Sequence, residues 1–314
     1  MKAKYFFLYV GFFICSELRS QSGIPKVAFG TVERILNFGK AVTPRTVDVW
    51  LPPGYHPSKK KYAVIYMHDG QMLFDANLTW NKQEWGVDEK LGLAMIEEKL
   101  NDCIVVGIWN NGVQRRSEYL PQNAMNVFRI KGKEFVLSEQ KDTLLEVSNF
   151  PLTANAYLEF IVKELKPHID SMYATNSAVQ ATFIGGSSMG GLISLYAICE
   201  YPNVFGGAMC MSTHWPGLFL ENQNLNPFPS QIMNYLKNNL PQAETHRIYF
   251  DYGDQTLDSL YPPYQKNVDA VCKSKGFSSD NGNYRSEFFP GENHSESAWN
   301  KRLLPAIQFL MTLK

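Results

Sequence analysis

Short apolar runs rich in β-branched and aromatic residues recur along the chain, each bounded by turn-forming residues, and runs of this kind predict strands. They cover residues 30–38, 45–51, 62–68, 103–109, 180–185, 206–211, 247–252 and 284–289. The first two are close enough to pair antiparallel. Between the later runs the apolar period lengthens to that of a helix. Over residues 155–169, Tyr157, Phe160, Ile161 and Leu165 share one face, with Thr153 upstream as a candidate cap. Residues 190–201 are nearly all apolar and stop before Pro202, while 231–240 and 295–310 carry two further helical patterns. Strands alternating with helices in this order predict an α/β fold. The expected sheet is mostly parallel, of about eight strands, with helices on both faces and one antiparallel hairpin leading in.

No repeat, linker or low-complexity tract interrupts this pattern, so residues 21–314 read as one domain. The polar, weakly periodic stretch 121–151 reads as an insertion over one end of the sheet. The first twenty residues stand apart. A basic start, Met1-Lys2-Ala3-Lys4, precedes an apolar run over 5–15 that is too short for a bilayer span of about 20 residues. This is the pattern of a signal peptide over 1–20, with cleavage after Ser20 and a secreted or periplasmic product. Cys15 lacks the small residue before it that a lipoprotein anchor requires. No later stretch is apolar for long enough to cross a membrane.

Lys+Arg and Asp+Glu are equal at 30 each, and no stripe concentrates the positive charges, which argues against a nucleic-acid partner. Beyond the leader, Cys103, Cys199, Cys210 and Cys272 sit in strand-like or helix-like runs, as buried free thiols do. An oxidising compartment permits a disulfide, Cys272 being one candidate. No Cys-x-x-Cys spacing suggests zinc, and His68, Asp69 and His214 match no metal pattern, so neither metal nor cofactor is expected.

Candidate chemistry concentrates at Gly186-Ser187-Ser188-Met189-Gly190, a Gly-x-Ser-x-Gly pattern with Ser188 at its centre. A predicted strand runs in and an apolar helix runs out. A sharp strand-to-helix turn of this kind exposes the serine hydroxyl and needs small neighbours for the backbones to pass. A serine hydroxyl is a weak nucleophile at neutral pH, so a base must stand within hydrogen-bond reach. In the order Ser, acid, His, the base is His294, in the loop between the last strand and the last helix. His246 opens a strand and points off the other end of the sheet, and His56 and His168 read as exposed. The acid belongs after the strand 247–252, where Asp254 and Asp258 are both candidates and Asp251 lies within the strand. Spacing leaves the two open. An oxyanion hole takes one backbone N–H from Met189 and a second from the loop His68-Asp69-Gly70-Gln71, with Gln71 the expected donor and Gly70 allowing close approach to substrate.

With these residues located, the chain resembles the esterase D-like family of α/β-hydrolases, which includes feruloyl, acetylxylan and enterochelin esterases. The likeness runs from about Arg45 to the C-terminus. It is carried by Tyr66-Met67-His68-Asp69-Gly70-Gln71, Val106-Gly107-Ile108-Trp109-Asn110, Arg116-Ser117-Glu118-Tyr119, Gly186-Ser187-Ser188-Met189-Gly190-Gly191 and Phe250-Asp251-Tyr252-Gly253. The resemblance implies an α/β-hydrolase domain with Ser188 as nucleophile and His294 as base. It favours Asp258 as acid, because similar members carry Thr-Leu-Asp at this point. Met72 stands where the family pattern has Asn.

The expected activity is therefore serine carboxylic-ester hydrolysis through an acyl-enzyme. The expected substrate is a small-molecule or glycan-linked ester, with a carbohydrate-linked or phenolic acyl group. Trp80, Trp85, Trp109 and Trp215 fall in or near loops and offer flat apolar faces to such groups, with Trp109, His214 and Trp215 expected to line the pocket. The alternatives are a siderophore esterase of the enterochelin type, an acyltransferase on the same triad, or a hydrolase-like binding protein without catalysis.

Overall fold

A computed structural model describes residues 23–125, 136–139, 143–146, 151–218 and 226–312. The expected leader and most of the expected insertion over 121–151 lie outside these residues. Strand β1 (Thr31–Phe38) pairs antiparallel with β2 (Arg45–Leu51), and β2 pairs antiparallel with β4 (Cys103–Ile108). From there the sheet is parallel through β3 (Ala63–His68), β7 (Thr182–Ser187), β8 (Gly207–Met211), β9 (Arg247–Tyr252) and β10 (Tyr284–Phe288). The eight-stranded order is β1-β2-β4-β3-β7-β8-β9-β10. Two short strands, β5 (Val136–Glu139) and β6 (Thr143–Glu146), pair with each other as a separate two-stranded sheet, within the segment read as an insertion.

Period-2 alternation explains why the parallel strands read as continuous apolar runs. Val64, Tyr66, Ile104, Val106, Ile184, Ala208, Cys210, Ile248 and Phe250 face one core. Their neighbours Ile65, Met67, Val105, Phe183, Met209, Met211 and Tyr249 face the other. A strand buried on both faces has no polar side to show. The second core is covered by α1 (Val87–Ile96) and α9 (Glu296–Met311). The first is covered by α4 (Ala154–Phe160), α5 (Lys166–Met172), α6 (Met189–Glu200), α7 (Phe228–Asn239) and α8 (Pro262–Ser274). Two short helices, α2 (Arg115–Tyr119) and α3 (Gln122–Met125), follow β4.

The helix expected over 155–169 is interrupted by a π-helical segment, Ile161–Leu165. Pro167, with no N–H to give and a ring that crowds the preceding turn, accounts for the break in the ladder. Thr153 precedes this helix but its side chain makes no capping bond, whereas Ser295 does cap α9, accepting from Ala298 N–H. Cys103, Cys199, Cys210 and Cys272 form no disulfide. Among the described residues no helix is long and apolar enough to cross a membrane.

Candidate active site

Successive neighbours in the sheet bring the candidate residues to one edge. Gln71 follows β3, Ser188 follows β7, His214 follows β8, Asp258 follows β9 and His294 follows β10. β3 and β7 lie side by side where the winding of the sheet reverses, which opens a crevice beyond the strand ends.

Ser188 caps α6 with φ 58° and ψ −123°, a conformation costly to any residue with a side chain. The turn holds because it is bolted on both sides. Ser188 N–H donates to Met211 O (2.9 Å), and His214 N–H donates to Ser188 O (3.1 Å). At Gly186 a Cβ would be crowded, standing 3.1 Å from the Gly190 carbonyl carbon and 3.2 Å from His68 Cβ, so the turn would have to give by a few tenths of an ångström. Behind the turn, Leu192, Ile193, Leu195 and Ile198 of α6 are buried, each stabilising the helix by about 1.5–3 kcal/mol relative to exposure. Met189 opens α6, so its N–H has no acceptor within the helix.

His294 Nδ1 donates to Asp258 Oδ1 at 2.6 Å, and the His294 N–H donates to Thr256 Oγ1 at 3.0 Å. The imidazole is edge-on to Trp299 (5.0 Å between centroids) and to Tyr261 (5.8 Å). Asp258 is fully buried, and its Oδ2 accepts from Ser212 Oγ (2.6 Å) and Gly253 N–H (2.7 Å). Burial alone pushes its carboxyl up; the bonds from His294, Ser212 and Gly253 outweigh this and hold it below the usual carboxylate range. Asp254 faces elsewhere, accepting from Gln255 Nε2 (2.8 Å) and Gly291 N–H (2.9 Å).

On the other side of the crevice, Asp69 sits in the left-handed region at φ 57° before a single 3₁₀ turn, Gly70–Met72. Met72 N–H donates to Asp69 O (2.9 Å), so the Gly70 and Gln71 N–H groups precede the first bond within the turn. Asn110 N–H donates to the Gln71 side chain (3.2 Å). Asp69 is clamped by Arg115 through two bonds of 2.7 Å and by Asn110 Nδ2 at 2.7 Å. Packing requires glycine at Gly70: a Cβ there would stand 2.4 Å from the Gly107 carbonyl carbon on β4.

Two expectations about neighbours need correction. Trp215 is fully buried, its indole N–H donating to Gln265 Oε1 (3.0 Å) and its ring packed on Phe250, so it offers no face to a ligand. Trp109 turns toward β1 and β2, donating to Asp48 Oδ2 (2.8 Å) beneath the Arg34 guanidinium. His214 does reach the site, though buried, with Nδ1 on the Tyr261 hydroxyl (2.9 Å). Burial, aided by the charges of His294, Arg116 and Arg115, pushes His214 down to about 3, so its ring is neutral near pH 7. His68 is also pushed down to about 3 by burial, and Tyr157 OH bonds its Nδ1 at 2.8 Å. Among the described residues no three His, Cys, Asp or Glu side chains are grouped so as to hold a metal.

Sequence reasoning missed Tyr261 and Ser212. Tyr261 lies at the site, with its hydroxyl on His214 Nδ1. Its signal was spacing: three residues after Asp258, it lies one 3₁₀ turn along on the same face. Ser212 had the same signal as His214, the first residues past a parallel strand.

Comparison with known proteins agrees with this fold. Bacillus subtilis "Uncharacterized protein YbbA" is 23% identical over 273 residues, which is 85% of this chain and 92% of that protein. The enterobactin esterase FES of Shigella flexneri superposes with a TM-score of 0.63 at 16% identity, over 94% of this chain and 62% of that one. This chain therefore spans under two thirds of the FES chain. A ferulic acid esterase superposes with a TM-score of 0.62 at 16% identity, over 90% of this chain and 98% of that one. Likeness at such identities is a likeness of fold, and the fold is that of the α/β-hydrolases. The family described as "Putative esterase" matches residues 41–310, a span that takes in the elbow, the β3 loop and the His294 loop, and the chain belongs to that family.

Proposed function

We propose that the chain is a serine carboxylic-ester hydrolase with Ser188 as nucleophile, His294 as general base and Asp258 as the acid. His294 Nε2 takes the Ser188 proton as Oγ attacks the ester carbonyl carbon. The carbonyl oxygen becomes an oxyanion, held by the N–H groups of Met189 and Gln71. Collapse breaks the C–O bond to the alcohol, which leaves with the proton from His294. Water then attacks the acyl-enzyme, giving up a proton to the same imidazole, and the acid departs as Ser188 is restored. Asp258 keeps the proton on Nδ1 and stabilises the imidazolium.

The observation that carries this reading is the 2.6 Å bond between His294 Nδ1 and a buried, doubly anchored Asp258, at the same sheet edge as a serine on a strained elbow. On this reading residues 1–20 direct secretion, and residues 21–314 form the esterase domain. The substrate is a carbohydrate-linked or phenolic acyl ester. Likeness to an enterobactin esterase supports a siderophore ester as the second substrate class.

A fluorophosphonate probe tests the chemistry directly, because it labels only an activated serine. Wild type is expected to label and Ser188→Ala to remain unlabelled, folded, and lower in kcat by about 10⁴–10⁶. Full hydrolysis by pure Ser188→Ala would remove the serine mechanism. A panel of acetyl, feruloyl, long-chain acyl and siderophore esters then ranks the substrate classes.

A further inference from the structure

Past the end of β8 the chain turns through Ser212, fully buried and held at φ 43°. A serine hydroxyl has one proton to give and two lone pairs, and here all three directions are used. It accepts from Trp299 Nε1 and Arg302 Nη2, each at 3.0 Å, and lies 2.6 Å from Asp258 Oδ2. Indole and guanidinium nitrogens only donate, so the hydroxyl proton has a single place to go, the Asp258 carboxylate. The backbone is committed as well: Ser212 N–H donates to Asp251 O at 2.8 Å. Residues 211–214 are the same strap that bolts the Ser188 elbow from both sides.

We infer that Ser212 is a positioning residue of the hydrolytic site, fixing Asp258 Oδ2 so that Oδ1 stays on His294 Nδ1 while the imidazole takes up and returns its proton. This inference rests on the proposed triad. The hydroxyl also relays charge. Arg302, 1% exposed, stands 3.4 Å from Asp251 and touches the carboxylate of Asp258 only through Ser212. A guanidinium bound directly to Asp258 would neutralise the carboxylate that must stabilise imidazolium; through a neutral hydroxyl its pull is attenuated. Burial pushes the Asp251 carboxyl up to about 7, so the cluster holds one cation for two carboxyls. Trp299 completes the arrangement, because the indole fixed by Ser212 is also the wall against which the His294 ring stands. Without the hydroxyl, Asp258 Oδ2 keeps only Gly253 N–H, and the carboxylate is freer to rotate away from His294.

The test compares Ser212→Ala and Ser212→Gly in the full chain on one small acetyl ester. Both lack the hydroxyl, and glycine additionally relieves the left-handed backbone. The expected result is kcat lower by about 10- to 100-fold in both, the scale of one hydrogen bond to a charged group. KM should stay within about twofold, because the loss arises as charge develops on His294. Placed on Asp258→Asn, either substitution should cost almost nothing further, since Ser212 acts through that carboxylate. Trp299→Phe removes one donor to the same hydroxyl without altering the backbone. It should lower kcat by about 2- to 10-fold at unchanged KM, and decides the matter if both Ser212 variants prove too unstable to purify. Wild-type kcat in a folded Ser212 variant, or an undiminished loss on the Asp258→Asn background, overturns the inference and leaves the triad standing. Activity surviving Ser188→Ala overturns the triad itself, and the inference with it.

Discussion

Replacing Asp258 by Asn tests the geometry at its most demanding point. The carboxylate receives three donors: His294 Nδ1–H on Oδ1, and Ser212 O–H and Gly253 N–H on Oδ2. An amide has the same shape but only one acceptor oxygen. If that oxygen faces His294, the NH₂ group points at two donors in a buried site. If it turns to satisfy Ser212 and Gly253, the NH₂ faces Nδ1, which must then accept. The imidazole proton moves to Nε2, leaving no lone pair for the Ser188 hydroxyl. Two buried donors outweigh one, so the second arrangement is the stable one. It places the base in the wrong tautomer, a defect that costs about 10³–10⁴ in kcat, or about 4–5.5 kcal/mol of barrier. Asp254→Asn makes the comparison. That side chain bonds Gln255 and the Gly291 N–H at the surface, so its loss should cost less than about tenfold. The assay is kcat on one acetyl ester near pH 7.5, after circular dichroism shows both variants folded. A severe loss in Asp254→Asn beside a mild one in Asp258→Asn would refute the assignment of the acid.

Two further outcomes are expected. His68 and His214 are buried and neutral, with proton affinities pushed down to about 3 from the ordinary 6.5. The unfolded chain binds their protons first, so stability is intact above about pH 6.5 and falls toward pH 3 by about 1.4 kcal/mol per unit for each histidine. Urea titrations across that window should show the slope, and His68→Asn should reduce it; an unchanged slope refutes the contribution of His68. Arg45 and Glu118 form a buried bidentate pair of 2.6 and 2.8 Å, with the guanidinium over the rings of Tyr157 and Phe160. Arg45→Met alone should destabilise by about 3–5 kcal/mol by stranding the Glu118 charge, and adding Glu118→Leu should restore most of it. Additive losses in denaturant melts would show that the pair is not what holds α2 to the sheet.

The central strands were readable because burial on two faces leaves them largely apolar, while the half-exposed edge strands β1 and β10 carry polar residues among apolar ones. The expected limits lie within about two residues of the observed ones. Two of the longer helices were not read. In α1, the buried Asp88, whose carboxylate accepts from Ala28 N–H, breaks the apolar stripe, and Gly92 weakens the helical signal. In α8, Pro262 and Pro263 read as a breaker although proline is favourable in a first turn, and one of its buried positions is the polar Gln265 that receives Trp215. The tryptophans misled in a similar way: a large aromatic in a loop reads as a ligand platform, yet Trp215 and Trp85 are core residues.

At the candidate site, position along the chain and position in space carried different information. A strand running into Gly-x-Ser-x-Gly and then an apolar helix already demands a tight turn, because only small residues let the backbones pass and only one residue between them can be strained. The order of nucleophile, acid and base followed equally well from the order of parallel strands, since consecutive strand ends share one edge. Choosing between Asp254 and Asp258 was beyond any local pattern, both following β9 by a few residues. That choice belongs to Thr256, held at φ 54°, which turns the chain so that Asp258 returns beneath His294 while Asp254 faces Gly291. The three bonds on the Ser212 hydroxyl likewise join residues 46, 87 and 90 positions away. Hydrogen bonds are directional and short-ranged, so partners that distant are chosen when helices and loops dock on the sheet, after periodicity has set where each element begins and ends.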